Sequence, residues 1–299
     1  MIREENGTKK FYPPIFDRMP DANGVGVGTK AVAELPKDRF YNLLALKFKT
    51  NGSAMTIANM QAMISDITVS LDGISIWDIN ISELISLNLY YQLKYASFTD
   101  GIVIIPFMRP WHFEYAQGKA LGLGTKGLNS FTVKVQFADD AVAPSMEIYA
   151  STHRFNEEPG NFVWVKSYSR PVSGTGEVEI DTLPKNGDLI AAHFIPSAGS
   201  ITDVRLRVNS LDYVNMPSDV LMAIVGKRRE RTPQSGIFHY DLLSRNYPED
   251  RMPQQYYDTT AGAVKTLDDI RWFVTCSAAA TIKIVQETIA PLKGYNAYS

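Results

Sequence analysis

The chain has 299 residues, enough for two domains of ordinary size, each with its own core. Its 45% hydrophobic and 21% charged residues argue against a disordered chain, and 30 basic against 32 acidic side chains leave a net charge of −2, too little for a global field that draws nucleic acid. The single cysteine, Cys276, excludes an intrachain disulfide and a cysteine-cluster metal site. Residues 1–10 are polar with no apolar run behind them, so no signal peptide is expected. No run of about 18 apolar residues suggests a membrane span.

In chain order, residues 1–25 contain Pro13-Pro14, Pro20 and few periodic positions, and are read as an N-terminal arm. Leu44, Leu46 and Phe48 then recur with a period of two, the mark of a half-buried strand. Residues 67–71 and 74–77 flank Asp72-Gly73, a pair that tolerates the positive φ values of a tight hairpin. A helix is expected from Glu83 to Tyr95, opened by Ser82 as N-cap. After a glycine-rich stretch at residues 122–127, Phe131, Val133, Val135 and Phe137 alternate with Thr132, Lys134 and Gln136, giving a strand with one apolar and one polar face. Residues 153–161, with Pro159-Gly160, read as a linker. Val204, Leu206 and Val208 form another strand, and Ser218 opens a second helix running from Asp219 to about Arg229. The basic run Lys227-Arg228-Arg229-Glu230-Arg231 is read as that helix's C-terminal end rather than as a nucleic-acid patch.

These elements are written twice. Leu35-Pro36-Lys37 returns as Leu183-Pro184-Lys185, an offset of 148 residues (35 to 183), and residues 43–48 return at 189–194. Gly26 and Gly28 match Gly174 and Gly176; residues 64–69 match 201–206; Ser82-Glu83-Leu84 matches Ser218-Asp219-Val220; Gly101-Ile102 matches Gly236-Ile237; residues 146–148 match 282–284. The order never breaks, which is how a duplicated domain diverges. The expected fold is therefore all-β: two tandem eight-stranded jelly rolls, each with one short helix in a loop, over residues 26–152 and 153–299.

No constellation of catalytic groups emerges. Gly122, Gly124 and Gly127 mimic a dinucleotide-binding spacing, but a strand follows where that motif needs a helix, so a structural loop is expected; Gly24, Gly26 and Gly28 fail the same test. The histidines His112, His153, His193 and His239 stand singly, without the paired spacing of a β-barrel metal site. His193, at the position of Lys47 in the first copy, is read as a surface or interface histidine. The pairs Asp139-Asp140, Glu157-Glu158 and Asp268-Asp269 fall in loops and are read as solvated. Cys276 alternates with Trp272 and Val274 and is read as a small core residue. No catalytic, cofactor-binding or metal-ligating residue is assigned, and no cofactor is expected. The 15 tyrosines and 14 phenylalanines exceed what two cores place easily, which suggests aromatic contacts between subunits.

Three stretches in the first half bear a resemblance: Val69-Ser70-Leu71-Asp72-Gly73, Phe107-Met108-Arg109-Pro110, and residues 121–128 running into 131–135. With Leu183-Pro184 and residues 189–193 in the second half, their ordered succession resembles the double jelly-roll major capsid proteins of membrane-containing icosahedral viruses, most closely the corticovirus (bacteriophage) type. The resemblance covers about residue 43 to residue 289. The arm before Gly26 and the loop from Lys49 to Met63 are longer here, so contacts made by those segments do not carry over. The resemblance implies a non-enzymatic coat protein, forming homotrimers whose six barrels make a pseudo-hexagonal capsomer over an internal membrane. Implied partners are neighbouring capsomers, penton and minor capsid or membrane proteins, with Arg3, Lys9 and Lys10 of the arm near lipid headgroups and no sequence-specific nucleic acid. The implied location is the virion, assembled in the host cytoplasm. Two other classes share the architecture: a two-jelly-roll hydrolase of glycans or glycopeptides, and a tandem carbohydrate-binding module.

Overall fold

A computed structural model of the chain describes residues 2–5, 8–11, 13–93, 101–109, 121–155, 157–226, 231–245, 250–267 and 269–292. It separates into two compact units, with the boundary between Phe162 and Val163; the short segment Leu89–Gln92 groups with the second.

The first unit is built from β1 (Ile15–Arg18), β2 (Lys30–Glu34), β3 (Phe40–Thr50), β4 (Ile64–Leu71), β5 (Ile74–Asn80), β6 (Ile102–Pro106), β7 (Phe131–Phe137) and β8 (Pro144–His153). They form two antiparallel sheets, ordered β1-β8-β3-β6 and β2-β7-β4-β5. The second unit repeats this strand for strand: β9 (Phe162–Val172), β10 (Gly176–Ile180), β11 (Asp188–Pro196), β12 (Ile201–Val208), β13 (Leu211–Pro217), β14 (Phe238–Asp241), β15 (Ile270–Cys276) and β16 (Ala280–Ala290). Its sheets are β9-β16-β11-β14 and β10-β15-β12-β13. Each strand of the first unit thus has its twin eight places later, and each unit is an eight-stranded jelly roll.

Alternation places the cores. Phe131, Val133, Val135 and Phe137 of β7 are fully buried while Thr132, Lys134 and Gln136 are half-exposed. The buried set meets β3 across the sandwich, where Tyr41 contacts Phe131 edge-on at 5.0 Å and Phe48 contacts Phe137 at 6.4 Å. In the second unit Ala192 and Phe194 face Val204, Leu206, Trp272, Val274 and Cys276, with Phe194 and Tyr240 packed on Trp272 at 5.0 and 5.1 Å. Cys276 is a buried member of this core.

The hairpin at Asp72-Gly73 forms as expected, with φ of 48° and 80° and Leu71 paired to Ile74. Asp72 also accepts hydrogen bonds from the backbone N–H groups of Asn129 and Ser130 at 2.7 and 2.8 Å, tying the turn to the start of β7.

Several elements differ from expectation. Residues 15–18, read as part of an arm, are the edge strand β1, paired to Tyr149–Thr152 of β8. Within the arm, Ile2–Glu5 pairs with Thr8–Phe11. The long loop after β3 holds a helix of its own, α1 (Ile57–Met63), capped by the Thr56 hydroxyl accepting from Asn59 N–H. The next helix, α2 (Ile81–Tyr90), is capped by Asn80 rather than Ser82. Asn80 Oδ1 accepts from Glu83 N–H, and Glu83 Oε2 accepts from Asn80 N–H, both at 2.8 Å, a reciprocal capping box. In α3 (Ser218–Gly226), Ser218 is the first helical residue and its hydroxyl donates to Ile201 O at 2.6 Å instead of capping. Residues 227–230 of the basic run lie outside the described residues; Arg231 is buried, not a solvated helix end.

Gly73→Val places a β-branched residue in left-handed backbone at a cost of about 1–2 kcal/mol, and thermal unfolding should show a Tm several degrees lower. Gly160→Val, with nothing within 4 Å and no positive φ, should leave Tm unchanged.

Candidate functional site

The glycine-rich stretch is a loop shaped by close approach. Leu123-Gly124 pairs with Phe40-Tyr41 of β3, and a Cβ on Gly124 would stand 2.6 Å from the carbonyl oxygens of both Glu157 and Glu158. The buried Thr125 hydroxyl donates to Arg39 O and accepts from Arg39 N–H, at 2.7 and 3.0 Å. No helix N-terminus follows, so the glycines serve packing and not a phosphate.

The acidic pairs do not converge. Asp139 and Asp140 are exposed in the turn after β7, and Glu157 and Glu158 lie beside the Gly124 loop. Asp269 pairs with Arg271; Asp268 lies outside the described residues. His153 is buried and stacks on Phe155 with centroids 5.5 Å apart. His112 and Pro110 lie outside the described residues; of the motif at 107–110, Phe107 and Arg109 are buried, with the Arg109 guanidinium 5.6 Å from the Trp77 ring centre. Among the described residues no group of three or more His, Cys, Asp or Glu is arranged to hold a metal ion.

One constellation does assemble, and it lies on the second unit. Along β11 a bulge between Leu189 and Ala191 resets the alternation, so Ala192 and Phe194 enter the core and His193 points from the opposite face of the sheet. Its register partner on β14 is His239, and the two Nδ1 atoms lie 2.8 Å apart. One ring must therefore donate and the other accept. His193 Nε2 sits 3.3 Å from Glu287 Oε1 on β16. Beside them, Arg231 Nε donates to Asp241 Oδ2 at 2.5 Å, and the Tyr90 hydroxyl donates to the same oxygen at 3.3 Å. The Tyr90 ring stacks on His239 at 4.1 Å, and Tyr91 lies edge-on to His193 and under the Arg231 guanidinium. All seven side chains are buried; His193, far from a surface histidine, has no exposure at all.

Burial, reinforced by the neighbouring His193, pushes the His239 pKa well below the usual imidazole range. Burial and then the Asp241 charge hold the Tyr90 hydroxyl far above its ordinary value, so it remains a donor. Burial is the largest single influence and opposes the Arg231 charge, but Asp241, Tyr91 and Tyr90 together outweigh it, and the guanidinium pKa is raised. The cluster is a neutral His239, a Tyr90-capped Arg231–Asp241 ion pair, and a His193–Glu287 contact, all sealed from solvent. Such an arrangement fixes strands against each other; it offers a substrate no entry. Sequence reasoning missed it because its members come from five separate segments.

Two eight-stranded jelly rolls in tandem place the chain among the double jelly-roll proteins. Solved structures agree. The major capsid protein P2 from bacteriophage PM2 superposes with a TM-score of 0.77 at 17% identity, covering 95% of this chain and 100% of that one. The PBCV-1 virus capsid gives 0.63 at 9%, covering 93% and 94%, and the Sulfolobus turreted icosahedral virus structure gives 0.64 at 11%, covering 92% and 90%. No curated protein matches the chain significantly. Residues 16–153 match the viral coat protein P2 N-terminal domain and residues 163–292 the viral coat protein P2 C-terminal domain. The chain belongs to the viral coat protein P2 family; it is a structural component of the virion capsid and not an enzyme.

The cluster makes two predictions. An unfolded histidine titrates near 6.5, whereas His239 stays neutral in the fold, so below that pH the unfolded chain binds the extra proton and folding stability falls with pH. The slope contributed by one such group is at most about 1.4 kcal/mol per pH unit. Urea unfolding followed between about pH 6.5 and 5 should show a shallower decline for His239→Gln than for the parent; equal slopes would refute the assignment. Arg231→Met strands the buried Asp241 carboxylate and should cost about 3–5 kcal/mol, most of it recovered in the double variant Arg231→Met/Asp241→Leu.

Proposed function

We propose that three copies of this chain form a pseudo-hexagonal capsomer that tiles an icosahedral virion shell over an internal membrane. The observation that carries this reading is the strand-for-strand duplication of the jelly roll within a coat protein. Two near-equal sandwiches per chain give six around a threefold axis, an outline that packs on a hexagonal net. Closed symmetric association is the usual outcome for a chain with self-complementary surfaces, and it covers sheet flanks that a lone chain exposes. Neighbouring capsomers, penton proteins and minor capsid or membrane proteins are the partners of such a tile. The hairpin Ile2–Glu5/Thr8–Phe11, whose sequence includes Arg3, Lys9 and Lys10, is suited to anionic headgroups or an adjacent capsomer. Assembly takes place in the host cytoplasm, and no sequence-specific nucleic acid is involved.

Size-exclusion chromatography with light scattering on the purified protein should give a stable trimer. A monomer that binds or cleaves glycans would overturn the proposal. For the arm, a chain lacking residues 2–12 should assemble particles with a disturbed membrane layer in electron micrographs; normal particles would remove that role.

A further inference from the structure

The two copies differ in what they leave uncovered. In the second unit the outer face of the β9-β16-β11-β14 sheet is closed along its two middle strands: residues 188–194 of β11 and 284–290 of β16 are buried without a break, on both faces. Tyr90 and Tyr91, at the end of α2 and part of the second unit, supply part of that cover by stacking on His193 and His239. In the first unit the twin face is open on one side: Ser151, Ile104 and Pro106 on it are buried, but the flank toward β1 is not. Phe16 on β1 is 76% exposed and Tyr149 on β8 is 37% exposed. Tyr149 pairs with Ala45 of β3, and Phe16 pairs with Ser151, which in turn pairs with Leu43, so the four share one face; Leu43 and Ala45 are only half-buried.

The helices show the reverse. Along α2, Leu84, Leu87 and Asn88 are buried. Their twins on α3, at the offset of 136 set by Ser82 and Ser218, are Val220, Ala223 and Ile224, and all three are exposed. Val220 and Ile224 are 47% and 46% exposed. These positions follow the i, i+3, i+4 spacing of one helix face. The opposite side of α3, with Leu221, Met222 and Val225, already packs toward the second core. A helix apolar on both sides is normally covered on both.

Among the described residues one chain therefore has an exposed apolar helix face and a partly exposed apolar sheet face. We infer that the Val220/Ala223/Ile224 face of α3 docks on the outer sheet face of the first unit of a second copy, around Phe16, Leu43, Ala45 and Tyr149. The contact is head-to-tail, and such contacts close into a ring when the rotation allows. The inference rests on the trimeric capsomer proposed above and names the surface that joins its chains.

Val220→Glu/Ile224→Glu should reduce the mass in solution from three chains to one while leaving the circular dichroism spectrum unchanged, since within a single chain both positions already meet water. Phe16→Glu/Tyr149→Glu should do the same. Mixing the two variants leaves one intact helix face and one intact sheet face, so a dimer containing one of each should form; a self-dimer of the variant with the intact helix would refute the head-to-tail geometry. Trimers that persist in both variants would overturn this interface and leave the capsomer standing, whereas a monomeric parent would overturn both. Should a variant misfold, Tyr149→Cys/Ile224→Cys in a Cys276→Ser background, treated with a bifunctional maleimide, should yield chains linked in series up to three. Absence of linkage between chains in a trimeric sample would refute the contact.

Discussion

The outer face of the second unit's β9-β16-β11-β14 sheet is the constraint around which this unit is arranged. A sandwich sheet ordinarily buries one face and wets the other; this one is closed on both sides along most of β11. Closing it takes polar backbone neighbours and titratable side chains out of water, and each must find a partner inside. The His193–His239 contact and the Tyr90–Asp241–Arg231 group answer that demand. Their net contribution to stability is small, because desolvation offsets most of the attraction between buried charges. Their larger effect is on register: a one-residue slip of β14 along β11 would turn His239 into the core and part Asp241 from Arg231.

The same demand explains why the two copies read so differently at matched positions. In the first unit β3 alternates buried and half-buried residues, and Lys47 reaches a half-exposed surface where its twin His193 is enclosed. Topology is shared because it depends on turns and on the core-facing alternation. The outer faces are free to diverge, since each answers only to what covers it.

Much of the fold was legible. The alternation in β3, β7 and β12, the Asp72-Gly73 turn and the ordered echo between halves depend on local periodicity, which a sequence displays directly. The twin of that turn, Asn209-Ser210, takes the same left-handed conformation, φ 47° and 67°, with no glycine to signal it. Strand β1 is hidden by its shortness and by prolines on either side. The cap of α2 was misassigned because β5 runs straight into the helix, leaving Asn80 at a junction with no loop to mark it. The buried cluster was illegible for a different reason. His193 and His239 are 46 residues apart, His193 and Glu287 are 94, and Tyr90 and Asp241 are 151. Only strand register joins them, and the bulge after Leu189 disguises the outward histidine inside an unbroken apolar run.

Duplication gives a coat protein something that six identical single barrels lack. In a ring of identical subunits every interface is the same, so a mutation that strengthens one strengthens all. With two copies in one chain, alternate interfaces become separate sequences. A position in one copy can then join a sealed polar cluster, as His193 does, while its twin Lys47 stays on a half-exposed surface. Burying titratable groups suits the first, because folding places them once and together. An interface of the kind inferred above must stay soluble before its partner arrives, and half-exposed apolar residues on a face shared with Arg18, Lys47 and Glu147 meet that condition better than a buried ion pair, whose separated halves would have to be desolvated at every encounter.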